Sequence, residues 1–164
     1  MSLTVYTPGE VLTAASLNDN FTFAAANGGK IAQVVQATYA TSTASTSASF
    51  VTSGLSASIT PTLNTSKVLV LVTMPARTEN TTGGIICTIF RGTVAGTNLF
   101  TAEGFGRLFG SNDMQGVLAG NFLDSPATTS ATTYTVGFKS TAAQNTACQI
   151  NNATSSITLI EVLA

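Results

Sequence analysis

The residues best suited to catalysis lie around a glycine-rich stretch in the second half of the chain. Glu103 and Asp113 flank the segment 104–110, which carries Phe105 and Arg107 between three glycines. Glycoside hydrolysis uses two carboxyl groups across a cleft, one of them with a raised pKa. One interpretation is therefore a sugar-binding loop, in which Phe105 stacks on a sugar ring and Arg107 donates hydrogen bonds. The other is a twisted strand pair with glycine bends and a local Glu103–Arg107 ion pair. The spacing is specific to no reaction.

A second candidate is the polar segment 76–84, which separates two strongly apolar runs. It carries Arg77, Glu79 and Asn80. Loops on rigid scaffolds often bind ligands, so these residues are candidate receptor contacts together with Glu103, Phe105 and Arg107. An ordinary hairpin loop is the alternative.

The two thiols are predicted to be structural. Cys87 is in phase with Ile85 and Ile89, and Cys148 with Ile150, so both are expected to point into a core as small hydrophobes. A disulfide between them stays open if their strands are neighbours. With two Cys and 0 His, this sequence has neither a His-based triad nor a four-thiolate zinc site. We expect no cofactor and no metal ion.

Most of the chain alternates between apolar and polar residues with a period of two, which is typical of strands. The run 67–74 is continuously apolar and is followed by Pro75, which favours a strand buried on both faces. The Ser/Thr tract 41–47 is predicted to be a solvated loop, with an extended edge segment as the alternative. We predict a mainly β fold: an antiparallel β-sandwich or jelly-roll-like head over residues 30–164, preceded by a short N-terminal α-helix. The predicted strands are 31–39, 55–59, 67–74, 85–90, 117–123, 133–138, 148–150 and 157–162.

The predicted helix follows Thr13 as N-cap and stops at Gly28-Gly29. Its apolar residues are spaced three, four and three positions apart, which makes an a/d seam of about one and a half heptads. These residues are Ala14, Leu17, Phe21 and Ala24. Such a helix is too short to be stable alone in water, so its stripe needs a partner.

Composition excludes several classes of function. Only 8% of the residues are charged and the net charge is −1, while Ser and Thr together number 45. Such a chain has no field to attract phosphates, so we expect no nucleic-acid binding. The strongest apolar run, 68–72, is far short of the ~20 residues of a spanning helix, so no membrane insertion is expected. The N-terminus lacks the basic and apolar regions of a signal peptide.

Several segments, in their order along the chain, resemble bacteriophage tail-fibre and related virion proteins. The opening run 7–21 matches their pattern Gly-x-x-Leu-Thr-Ala-x-x-Leu-Asn-x-Asn-Phe. Segment 29–37 resembles the strand that follows in these proteins, and segments 59–62, 66–70, 124–134 and 157–161 are similar to their β-domain. The resemblance implies a homotrimer with N-terminal helices on its axis, and an attachment arm over residues 1–29. The attachment and seam residues it implies are Leu12, Ala14, Leu17, Asn18, Asn20, Phe21 and Ala24. Unlike most fibres, the sequence passes from helix to head without a long shaft.

Three hypotheses follow. The first is a virion protein: a trimeric short fibre or spike that docks through residues 1–29 onto other virion proteins and displays its β head to a host glycan or protein. The second is a capsid decoration protein that cements the shell. The third, a glycan-degrading enzyme, depends on Glu103 and Asp113 alone, and we expect no enzymatic activity.

Overall fold

The computed structural model describes residues 5–11, 13–27, 30–79, 82–110 and 113–163, with the backbone alone for 22–27. The chain divides into two compact units, residues 1–30 and 31–164. The predicted function of residues 1–29 as an attachment arm stays a prediction.

The N-terminal unit consists of a tight turn and a helix. In the turn, the Glu10 N–H donates to the Thr7 carbonyl at 3.1 Å. Pro8 and Gly9 occupy the centre, and Gly9 has a φ of +90°, which glycine tolerates in such a turn.

Helix α1 (Ala14–Asn27) follows. Thr13 caps it, because its Oγ1 accepts the Ser16 N–H at 3.2 Å, and this confirms the predicted N-cap. The predicted stop at Gly28-Gly29 lies outside the described residues.

In the part of the chain that the structure describes, six strands form the first sheet, sheet A, and they pair antiparallel. They are β1 (Ile31–Tyr39), β2 (Thr43–Ser45), β4 (Lys67–Thr78), β8 (Met114–Asp124), β10 (Thr146–Cys148) and β11 (Ser155–Val162). Strand β4 is central: β8 pairs along one edge of it, and β11 followed by β10 pairs along the other. Beyond these lie β1, against β11, and β2, against β10.

Five strands form the second sheet, sheet B, again with antiparallel pairing. They are β3 (Val51–Ile59), β5 (Gly84–Arg91), β6 (Thr97–Asn98), β7 (Gly106–Phe109) and β9 (Thr132–Ser140). Strand β9 lies between β3 and β5, while β6 and β7 both pair along the other edge of β5.

The core lies between the two sheets, because alternate side chains of each strand point inward. Sheet A contributes one buried row from β4, which comprises Val68, Val70, Val72, Met74 and Ala76, together with Ile157 and Leu159 of β11. Sheet B contributes Leu55, Ile85, Tyr134, Val136 and Phe138. The predicted antiparallel β-sandwich, preceded by a short helix, is confirmed.

Pro75 does not end β4, which contradicts the predicted boundary. Its carbonyl accepts the Gln149 N–H at 2.9 Å. In a strand the N–H and C=O of one residue point to the same edge, and at this edge β11 pairing stops at Thr73 and β10 pairing starts at Ala76. Proline has no N–H to donate, but this edge of Pro75 faces the gap between the β11 and β10 pairings. No hydrogen bond of the sheet is therefore lost there.

The prediction that the 67–74 strand is buried on both faces is also wrong. Its outward side chains are partly open, and Leu71 is 38% exposed. The strand buried on both faces is β5, because other side chains cover its outer side: Thr88 donates to Asn98 Oδ1 at 2.6 Å, and Phe90 packs edge-on against Phe50.

Two local predictions are corrected. Within the Ser/Thr tract, Thr43–Ser45 forms the edge strand β2, so the alternative interpretation holds there. The predicted strand 148–150 is wrong, since β10 ends at Cys148 and Ile150–Asn152 is a 3-10 turn. Gln149 has a left-handed backbone with a φ of 52°, which cannot continue a strand.

Candidate functional site

The helix brings several of the predicted seam residues together. Ala14, Leu17 and Phe21 are spaced three and four residues apart on α1, so they share one stripe. Leu17 is 41% exposed and Phe21 is 64% exposed. The backbone at Ala24 is helical and its side chain is not described, while Leu12 lies outside the described residues. Asn18 and Asn20 lie on the same helix.

Arg77 and Glu79, from the polar candidate segment 76–84, belong to a charged cluster at one end of sheet A. Arg77 Nη2 contacts Glu79 Oε1 at 2.9 Å, and Arg77 Nε donates to Asp113. Glu79 also accepts the Asn145 side-chain amide at 3.0 Å. The Asp113 hydrogen bond raises the pKa of Arg77, despite partial desolvation. Asn80 lies outside the described residues. The cluster joins the end of β4 to the start of β8.

The glycine-rich segment forms a strand rather than an open loop. Gly106–Phe109 is β7, and Glu103 pairs with Arg107 at 2.6 Å. The guanidinium of Arg107 also lies 5.3 Å from the ring centroid of Phe109, a cation–π contact. The strand interpretation with a local ion pair is therefore confirmed.

Phe105 belongs to an aromatic group at the margin of the core. Its ring centroid lies 5.7 Å from that of Phe100, which in turn lies 5.3 Å from that of Phe122. The side chain is partly buried against the core. This packing limits the ring face left for a sugar. The receptor role of Phe105 and of the other loop candidates stays a prediction.

The two carboxylates proposed for glycan cleavage are engaged separately. Glu103 is paired with Arg107, and Asp113 with Arg77. Within the described residues no group of three or more His, Cys, Asp or Glu side chains could hold a metal ion. The arrangement supplies exposed ion pairs, which suit surface contact by hydrogen bonding.

Two buried carboxylates, Asp124 and Glu161, are not among the site residues predicted from the sequence. Asp124 of β8 accepts the Tyr134 hydroxyl at 2.7 Å and pairs with Arg91 Nη1 at 3.2 Å. Burial, and then the hydrogen bond to Asp124, raises the pKa of Tyr134 well above its usual range. The three residues join β8 of sheet A to β5 and β9 of sheet B.

Glu161 of β11 is fully buried. Its carboxylate accepts Gln33 Nε2 at 2.6 Å, and the Thr62 N–H and hydroxyl at 2.7 Å each. Burial by itself raises its pKa, but these donors outweigh burial and lower the pKa to about 2. The signal in the sequence was a carboxylate in phase with the apolar Ile157 and Leu159. Its role is structural: it ties β1 and the β3–β4 loop to β11.

Both thiols lie in the core, as predicted. Cys87 and Cys148 are fully buried and free, on β5 of sheet B and β10 of sheet A. Burial raises the pKa of Cys148 well above its usual range, and its hydrogen bond with Cys87 raises it further. Such thiols are poor nucleophiles.

The fold defines an antiparallel β-sandwich with a helical N-terminal unit. No protein-family model and no curated protein matches the chain. Among solved structures, the VP2 subviral particle of infectious bursal disease virus is similar with a TM-score of 0.45 and 14% identity, over 80% of this chain and 37% of that chain. The structure of the Gt strain of the same virus has a TM-score of 0.46 and 13% identity, over 82% of this chain and 39% of that chain. This chain spans less than two fifths of the length of those viral chains.

No helix in the described part of the chain is both long and apolar enough to span a membrane.

Proposed function

We propose that the chain is a structural component of a bacteriophage particle, a trimeric short fibre or spike. Residues 1–29 dock onto another virion protein, and the β-sandwich faces the host surface. The observation that carries the proposal is the open apolar stripe on α1, where Leu17 and Phe21 are 41% and 64% exposed. A 14-residue helix with such a stripe is stabilised by partners rather than by itself. The resemblance of residues 7–21 to virion attachment segments supports the same role.

The chemistry of the head fits surface contact. Four of the candidate receptor residues form ion pairs, Arg77 with Glu79 and Glu103 with Arg107. All four side chains are at least partly exposed. Such groups bind a glycan or a protein by hydrogen bonding, and each contact is weak. Several copies on one particle convert weak contacts into strong attachment.

Imaging of labelled particles tests the proposal. A gold label coupled to a cysteine introduced at the exposed Ser56 (Ser56→Cys) would be located by electron microscopy of purified phage particles. Label at the tail supports the fibre, and particles without label overturn a virion role. The Leu17→Asp variant with the same label is expected to lose incorporation, because it disrupts the apolar stripe of the helix, and Ala15→Asp, an exposed position off the stripe, is the matched control that is expected to keep it.

A capsid decoration protein is the second candidate function, and one observation favours it. Helix α1 ends at Asn27 and β1 begins at Ile31, so no shaft separates arm from head. A compact head joined directly to an arm suits the surface of a shell. Label on the capsid faces in the same images supports decoration and rejects the fibre.

A further inference from the structure

The outer face of sheet A carries an aliphatic row across four adjacent strands. Val34 of β1 is in register with Ile160 of β11, Ile160 with Leu69 of β4, and Leu69 with Leu123 of β8. All four side chains point away from the core, because their neighbours along each strand are the more buried residues. Val34 is 59% exposed and Leu123 is 49% exposed. We call this set the aliphatic row.

The face around the row is uncharged over most of its length. The outward positions of β4 begin at Lys67 and reach Arg77, and the positions between these two carry no charge on β4 or its neighbours. Those described positions are Val34, Gln36 and Thr38 of β1, Leu69, Leu71, Thr73 and Pro75 of β4, Gln115, Val117, Ala119, Asn121 and Leu123 of β8, and Ser156, Thr158, Ile160 and Val162 of β11. Copies of an uncharged face can meet without repulsion between like charges.

The outer face of sheet B differs. Its exposed positions on β3 and β9 are hydroxyls or glycine, such as Ser56, Ser58 and Thr133, and the last two hydrogen-bond to each other at 2.7 Å. One side of the sandwich therefore suits water, and the other suits an apolar partner.

The dimensions of the sheet A face fit contact between copies of the chain. Four strands at a spacing of about 4.8 Å span ~19 Å, and the 11 positions from 67 to 77 span about 35 Å, an area of roughly 670 Å². A standard interface buries about 800 Å² on each partner. In a trimer each copy divides this face between two neighbours, roughly 335 Å² against each, so the face supplies part of the area that a stable assembly needs.

The width of the face also selects the symmetry. If three such sheets surround a three-fold axis as the sides of a triangular prism, each ~19 Å wide, then each sheet lies about 5.5 Å from the axis. Packed sheets lie about 10 Å apart, so the side chains of one sheet reach ~5 Å. Side chains of this length fill the centre of a three-sided prism.

We propose that the outer face of sheet A lines the three-fold axis of a homotrimer and that its occupant is the same face of two further copies of this chain. This inference rests on the trimer of the proposed function and assigns its interface to the head. The central strands β4 and β11 lie nearest the axis, so Leu69 and Ile160 form its innermost layer.

Charge substitutions on the full-length chain test the interface. Val34→Asp and Leu123→Asp place a carboxylate on exposed positions of the aliphatic row, where folding is little affected. The wild-type chain is expected at about three times its 16.7 kDa mass in sedimentation analysis. Each variant is expected to raise the trimer dissociation constant about a hundredfold, because an unpaired charge is buried in every subunit. Ser56→Asp, the matched charge on sheet B, is expected to leave the trimer unchanged.

Cross-linking provides a readout that loss of stability cannot imitate. In Leu69→Cys, the three new Cα atoms lie about 10 Å apart around the axis, which is too far for a direct disulfide. A short bismaleimide, whose two double bonds each add one thiol with no leaving group, is expected to couple two of the copies into a covalent dimer. Ser56→Cys on the opposite sheet is expected to stay uncoupled.

The outcomes separate this inference from the proposed function. In one outcome, the wild type is a trimer that the Leu123→Asp substitution leaves intact and in which Leu69→Cys gives no cross-link. This result overturns the proposed interface and does not affect the proposed fibre function. A wild-type monomer overturns the trimer itself. A wild-type dimer overturns the three-fold arrangement of the face.

Discussion

The carboxylate of Glu161 illustrates, at the scale of single residues, how this sandwich keeps a charge in its interior. Three donors from Gln33 and Thr62 surround it at 2.6–2.7 Å. Glu161→Gln replaces one carboxylate oxygen by an NH₂ group. This group cannot accept hydrogen bonds from Gln33 and Thr62, so one of their donors loses its acceptor. We expect the free energy of unfolding at pH 7 to fall by about 2 kcal/mol, measured by urea denaturation.

The same residue predicts a pH dependence. The pKa of Glu161 is about 2 in the folded chain, below its ordinary value of 4.5. The ionised Glu161 side chain therefore contributes fully to the free energy of unfolding above pH 4.5. This contribution is lost as the pH falls towards 2, because the unfolded chain binds the proton first. The stability difference between wild type and Glu161→Gln should shrink over that window. Glu103→Gln, in an exposed ion pair, is the control and should change stability by less than about 0.5 kcal/mol. A difference that stays constant with pH would contradict the assignment.

Tyr134 supplies the second prediction at this scale. Its hydroxyl donates to the buried Asp124 at 2.7 Å, and Arg91 then provides the remaining partner. Tyr134→Phe removes a hydrogen bond to a buried charge and is expected to cost about 2 kcal/mol in thermal or urea unfolding. Tyr39→Phe is the matched control, expected near zero. Equal losses in the two variants would show that the hydrogen bond to Asp124 contributes no more than the hydroxyl of Tyr39 does.

At the scale of elements, the bulge in β3 depends on Gly54. The register with β9 shifts between Thr52 and Ser56, and Gly54 has a φ of +83°. A Cβ there would lie 2.4 Å from the ring of Tyr39 on β1. We expect Gly54→Ala to destabilise the fold by about 2–4 kcal/mol, from backbone strain and overpacking together.

Gly92→Ala tests the contribution of backbone strain without overpacking. Its φ is +93°, but the nearest atom to a Cβ, the Gly96 Cα, lies at 3.8 Å. This variant should cost only about 1 kcal/mol. A loss at Gly92 equal to that at Gly54 would show that contact with Tyr39 contributes nothing.

The elements predicted from sequence are those whose pattern is local. Period-two alternation located the long strands, and the spacing of Leu17 and Phe21 located α1, because each pattern is set by neighbouring residues. Strand β6 was missed, since two residues carry too little alternation, and β7 was predicted only as one of two interpretations of the glycine-rich segment. The Asp124–Tyr134–Arg91 contact was missed because it depends on which strands of two sheets face each other. The gap that accommodates Pro75 likewise exists only once β10 and β11 are placed.

At the scale of the whole molecule, scarcity of charge governs association. The chain has seven acidic and six basic residues, and the outer face of sheet A is uncharged between Lys67 and Arg77. Assembly through apolar area depends little on screening of charges. We expect the trimer dissociation constant to change less than about threefold between low and moderate sodium chloride in sedimentation experiments. A large weakening by salt would show that ion pairs hold the copies together.

The helix and the head face are expected to contribute separately to the same trimer. Leu17→Asp and Phe21→Ser each place a polar group in a narrow apolar seam that symmetry repeats three times, so both should weaken the trimer about tenfold or more. Ala15→Asp is the matched control, because this exposed residue lies one position off the seam near the start of the helix, where an acidic group is tolerated. If Leu17 and Leu123 act at distant sites, the double variant Leu17→Asp/Leu123→Asp should lose the sum of the two single losses in free energy of assembly. A trimer unchanged by Leu17→Asp and Phe21→Ser would show that the β heads alone hold the copies together, and residues 1–29 would then serve attachment only.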